Sequence, residues 1–144
     1  MSEDEIAEIL SWSEMTSVLA ESRLLRPYAK FMHDPTEGGF MGGLDEICSL
    51  CGLKAELDRE ALAIHPLTRR AAKELDFDPL HLIASGSMLA AVPERYAKAA
   101  RSALEAAGIE SAVAGRMGGR LETPLPEPKE ELWRLLKMEK KDAR

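Results

Sequence analysis

The residue types that could do chemistry are concentrated in His33-Asp34-Pro35-Thr36-Glu37-Gly38-Gly39-Phe40-Met41-Gly42-Gly43-Leu44. Asp34 could hold a magnesium ion or a substrate hydroxyl, and Thr36 could donate to a phosphate oxygen. The same two side chains could equally cap the turn and the helix that follows it. Proline after Asp34 pushes that residue towards an extended backbone. Gly38 and Gly39 can take dihedrals closed to other residues and let a bound group come close to the main chain. A helix starting there presents free N–H groups and the positive end of its dipole. That combination suits a phosphate or carboxylate. A Gly-rich turn alone is a weak motif, and a ligand-free strand-to-helix turn has the same composition. Glu37 reads as a surface acid at the helix dipole.

The flanking pattern supplies the elements that must hold this turn. Tyr28 to His33 reads as a strand leading in. Phe40, Leu44, Ile47 and Cys51 share a helix face, with Gly52 as a natural stop. Leu53 to Asp58 alternates apolar and charged residues, as a strand with one wet face does. Upstream, Ser2 and Glu5 have capping-box spacing, so a short acidic helix starts at residue 3. Ser11 to Ser13 interrupts it, and helical spacing resumes through Met15, Val18, Leu19 and Leu25 up to Pro27. Downstream, Pro66 opens a helix to about Leu75, and Asp76 to Asp78 is a turn. Met88 to Val92 reads as a central strand, because a continuous apolar run suits burial on both faces. Pro93 starts a helix with Tyr96, Ala99, Ala100, Ala103 and Leu104 inward, ending at Gly108. Ile109 to Ala114 alternates as a strand, and Gly118-Gly119 is a turn. Thr123 to Pro128 is a proline-rich connector. Glu131 to Met138 is a last helix, and the charged residues beyond it fray. Alternating helices and strands place the chain among layered α/β domains.

Composition narrows the function classes. The 144 residues make one domain. The net charge is −6, without a basic stripe, which argues against nucleic acid. No apolar run is long enough to span a bilayer and no signal peptide opens the chain, so the expected setting is the cytoplasm. The two cysteines form Cys48-Ser49-Leu50-Cys51. Zinc would need two more ligands, and a redox pair gains acidity at a helix start rather than a helix end. Both therefore read as small buried helix residues. His33 abuts the turn, whereas His65 and His81 read as packing or surface residues.

The stretch HDPTEGGFMGGLDEI resembles the signature that opens the C-terminal domain of the aminoimidazole ribonucleotide (AIR) synthase superfamily. Its members include AIR synthase, formylglycinamidine ribonucleotide synthase, selenophosphate synthetase, thiamine monophosphate kinase and a cyanide-making hydrogenase-maturation protein. Three further stretches resemble the family in the same order: Asp78-Pro79-Leu80 with Ile83-Ala84-Ser85-Gly86-Ser87-Met88-Leu89; Ala91-Val92-Pro93; and Ala107-Gly108-Ile109 to Gly115-Arg116.

The resemblance implies an α+β fold, a mixed sheet with helices packed on it, partly ferredoxin-like. It implies a domain over residues 13–138, with an N-terminal extension at 1–12 and a charged tail at 139–144. The turn at Ser85-Gly86-Ser87 would face the cleft between domains, giving a ligand-binding set of Asp34, Thr36, Gly38, Gly39, Ser85 and Gly86. Some members carry an acid near that turn where this chain has Ser85, so no general acid is assigned there. The family couples ATP hydrolysis or phosphoryl transfer to activation of a carbonyl, amide or selenide. ATP and magnesium are held mainly by a separate N-terminal domain, which also forms the dimer. This chain is then expected to be the C-terminal half: inactive alone, partnered by that N-terminal domain in the same or another chain, and facing a phosphorylated small molecule. The cyanide-making member ends in a reactive cysteine and this chain ends Lys141-Asp142-Ala143-Arg144, so that activity is not expected. Two other readings fit the residues: a stand-alone module binding a phosphorylated metabolite, and a protein-interaction domain docking through Trp12, Trp133 and the outer helices.

Overall fold

Ser2 begins the chain's first element as expected. Its Oγ accepts the Glu5 N–H at 3.2 Å, and the Glu5 carboxylate accepts the Ser2 N–H at 2.7 Å. This closes a capping box on α1 (Glu3–Ser11). The computed structural model describes residues 1–122, 125 and 129–142, with backbone alone for 138–142. After a 3-10 turn at Trp12–Glu14, α2 (Leu19–Leu25) leads into β1 (Phe31–His33). Then come α3 (Gly39–Cys51), β2 (Leu53–Leu57) and α4 (Pro66–Glu74). They are followed by β3 (Leu89–Ala91), α5 (Glu94–Ala106), β4 (Gly115–Arg120) and α6 (Glu131–Asp142).

The α+β class stands, with its sheet component built as two small antiparallel ribbons. In one, β1 pairs β3 with Phe31 opposite Ala91 and His33 opposite Leu89. In the other, β2 pairs β4, with an irregularity between Leu53 and Lys54. The expected central strand at Met88 to Val92 is thus one of a pair. Its apolar run is explained by helices rather than by neighbouring strands. Leu25 of α2 and Ala100 and Leu104 of α5 form a buried cluster against which Met32, Met88, Ala90 and Val92 pack, and α3 also contacts β3.

Three further expectations are corrected. The alternating stretch Ile109 to Ala114 forms no strand; the strand is β4, which takes in Gly118-Gly119. Main-chain pairing with β2 decides this, because Gly115 to Arg120 has no apolar alternation to reveal it. Tyr96, expected inward, is 39% exposed, its ring tilted against Tyr28 and lying under Arg95. The last helix runs past Met138 to Asp142. The connector expected at Thr123 to Pro128 lies, apart from Leu125, outside the described residues.

Asp78 fixes the segment that will matter for the site. Its carboxylate accepts the Leu80 N–H at 3.0 Å and an Arg59 guanidinium N–H at 2.8 Å, capping the 3-10 turn Pro79–His81. Burial opposes ionisation of Asp78, but the bonds from Arg59 and Leu80 and the charges of Arg59 and His81 outweigh it and lower its pKa. A carboxyl lowered on folding contributes stability above its unfolded pKa and loses it as pH falls through the folded value. Asp78→Ala should therefore cost about 1 kcal/mol at neutral pH. The gap between wild type and variant in urea melts should narrow as pH falls below the ordinary carboxyl value of 3.8.

Candidate functional site

The antiparallel register of β1 and β3 puts the end of one strand beside the start of the other. Asp34 follows His33, and the Ser85-Gly86-Ser87 turn precedes Leu89. The two sequence-predicted stretches therefore lie at the same end of this ribbon. Around the first, Pro35 is fully buried, whereas Asp34, Thr36 and Glu37 are exposed. Gly38 and Gly39 are buried and left-handed, with φ of 76° and 62°.

The glycines of α3 serve packing first. A Cβ on Gly39 would strike the carbonyl oxygen of Leu82 and lie 2.8 Å from that of Leu80. One on Gly43 would lie 2.9 Å from Pro35 and 3.0 Å from His33. Glycine thus lets α3 approach both β1 and the Pro79–His81 turn. The close main-chain approach expected for a bound group is, at Gly39, filled by the protein's own backbone. The Gly39 N–H donates to the Thr36 carbonyl at 3.1 Å, closing the turn, and the first intrahelical bond runs from Gly42 N–H to Gly38 carbonyl at 2.9 Å.

The Gly38 N–H meets an anion. It donates to Oε2 of Glu130, a residue far along the chain, whose Oε1 accepts the Leu132 N–H at 2.8 Å. Sequence reasoning missed Glu130. The available signal was its place just before the last helix, where the helix dipole favours an acid; nothing local pointed it at Gly38.

The second stretch is a tight turn. The Ser87 N–H donates to the Ala84 carbonyl at 3.0 Å, and Gly86 has φ of 90°. A positive φ at the third position is the type II requirement. A Cβ on Gly86 would strike the Met15 carbonyl oxygen. Gly86 therefore lets the turn pass the segment after α1. Ser85 and Ser87 are exposed.

His33 pairs through Nε2 with Glu46 at 2.9 Å, along the side of α3. His65 meets Trp12 edge-on and accepts the Leu67 N–H at the head of α4, which makes it a packing and capping residue. Cys48 is buried and Cys51 exposed, so only the first is the core residue expected. Burial, then the nearby charges of Asp45 and Cys51, raise the Cys48 pKa and hold it as a thiol. Asp45 is itself raised by burial, with His81 opposing. Beside them, Met41, Leu44, Asp45, Cys48, Ala55 and Leu57 line a cavity of about 330 Å³. Its walls are mainly apolar.

Among the described residues, no group of three or more His, Cys, Asp or Glu gathers that could hold a metal ion. Asp34 by itself does not make a magnesium site. No described helix is long and apolar enough to cross a membrane.

Comparisons with known proteins point one way. The sequence profile described as "AIR synthase related protein, C-terminal domain" matches residues 3–123. Carbamoyl dehydratase HypE of Rhizobium leguminosarum bv. viciae is 33% identical over 92 residues, which are 62% of this chain and 26% of that protein. The structure of E. coli HypE, a hydrogenase maturation protein, superimposes with a TM-score of 0.68 at 26% identity. That match covers 77% of this chain and 40% of the other. Hydrogenase maturation protein HypE in complex with ATP matches with a TM-score of 0.59 at 27% identity, over 63% of this chain and 28% of the other. The matched stretch thus spans about a quarter of the curated relative's length.

Proposed function

The chain belongs to the family of AIR synthase related proteins, as their C-terminal domain, and we propose that it forms one wall of a cleft in an ATP-dependent enzyme. In this reading the loop from Asp34 to Gly39 receives a negatively charged group of the nucleotide or of a phosphorylated substrate. The turn at Ser85-Gly86 borders the same cleft. ATP and magnesium are held mainly by an N-terminal domain, in the same or another chain, which also carries any dimer contact. Asp34 completes a magnesium shell only when phosphate oxygens and outside ligands join it. A cytoplasmic setting goes with this assignment.

The observation that carries the reading is the anion already seated on the Gly38 amide at the head of α3. Main-chain N–H groups at a helix start favour negative charge, and the Gly38 amide donates to a carboxylate oxygen. The relative solved with ATP supports a nucleotide as the ligand of the whole enzyme.

Amide-resolved NMR of the 144-residue chain, titrated with inorganic pyrophosphate, tests the assignment. The signals of Gly38 to Met41 should shift with millimolar-range affinity. Shifts scattered over the surface, or none, would overturn it. Calorimetry with magnesium and ATP should show weak or no binding and no turnover. Tight binding with hydrolysis by this chain alone would refute the division of labour between domains.

A further inference from the structure

The carboxylate of Glu130 sits between two helix starts. One oxygen takes the Gly38 N–H at the head of α3, the other the Leu132 N–H at the head of α6. Both partners are amides at helix starts, where the main chain presents unpaired N–H donors. Glu130 and Gly38 are separated by 92 positions. The contact therefore closes only when the C-terminal helix folds back on the signature loop. A second tether holds it: the Arg134 guanidinium donates to the main-chain carbonyl of Asp76, in the turn after α4, while pairing with Glu131. Gly38 and Gly39 are buried in this arrangement, though Asp34, Thr36 and Glu37 beside them stay exposed. Glu130 lies beyond residue 123, where the match to the family profile ends.

We propose that Glu130 is an internal latch on the anion site. Its carboxylate stands where an external phosphate or carboxylate group would stand, and α6 must release it before that group can bind the Gly38 amide. The chain as described is the latched state. The inference rests on the assignment of the loop as an anion site, and it adds the regulation of that site. No bond is made or broken; one anion replaces another on the same donor, so the two compete by mass action.

The test uses the full chain with inorganic pyrophosphate as the probe, read by amide NMR and by far-UV circular dichroism to verify folding. Glu130→Gln keeps the side chain's size and an acceptor but removes the charge; Glu130→Ala removes the competitor altogether. Without any ligand, both should move the Gly38 amide signal, which reports the latch itself. With pyrophosphate, Glu130→Ala should bind about tenfold more tightly than wild type, Glu130→Gln by a smaller factor in the same direction. Arg134→Ala, which loosens α6 without touching the loop, should tighten binding about threefold. An unmoved Gly38 signal in both Glu130 variants would overturn the latch while leaving the anion site standing if pyrophosphate still shifts the loop. A moved signal with no pyrophosphate binding in any variant would overturn both the latch and the anion site. Equal affinity in all four proteins would overturn the competition alone.

Discussion

Replacing Gly39 with alanine should cost about 3 kcal/mol and lower the melting temperature by about 10 °C. Two costs add. A non-glycine residue held at φ near 62° carries a left-handed penalty of about 1 kcal/mol. The new methyl then meets the carbonyl oxygens of Leu80 and Leu82, both backbone, so neither can swing aside as a side chain would. The helix head must move off the Pro79–His81 turn, an overpacking cost of about 2 kcal/mol. Gly52→Ala separates the two terms. It also has a positive φ, of 65°, but nothing lies within 4 Å of the new atom. That variant should lose only about 1 kcal/mol. Thermal melts of the pair decide the matter. Equal losses would mean that the backbone contact at Gly39 contributes nothing.

Ile47→Ala should lose about 3.5 kcal/mol. Ile47 is 2% exposed, on the buried face of α3 next to Cys48. Truncation removes most of a fully buried side chain and leaves a void in a close-packed interior. Ile47→Val should cost about 1 kcal/mol. Urea unfolding with an unchanged slope and a shifted midpoint is the expected signature. A loss below about 1 kcal/mol for the alanine variant would show that this side of α3 is not the core it is taken to be.

Much of the frame was legible in the residues. The Ser2–Glu5 capping box, the stop at Gly52, the proline opening α4 and the helix from Glu94 are written in local chemistry, and each forms where that chemistry puts it. Short-range hydrogen bonds and dihedral preferences decide such features, so a window of a few residues suffices. The strands were harder. Only β2 has the alternation that marks a half-wet strand, while β4 is built on glycines and arginines and owes its existence to its partner across the ladder. Cys51 shares its helix turn with Cys48 but lies on the uncovered side; periodicity ranks faces and does not say how wide the covering neighbour is.

The sequence by itself determined that a Gly-rich turn opens α3, that its amides are free of intrahelical partners, and that the family signature surrounds it. These follow from residue types and from the four unpaired N–H groups every helix start must have. Only the tertiary structure decided what those groups meet. Gly39 faces carbonyls from the Pro79–His81 turn, and Gly38 faces a carboxylate from the start of α6. Contacts across so many residues depend on how helices pack, which no local pattern encodes.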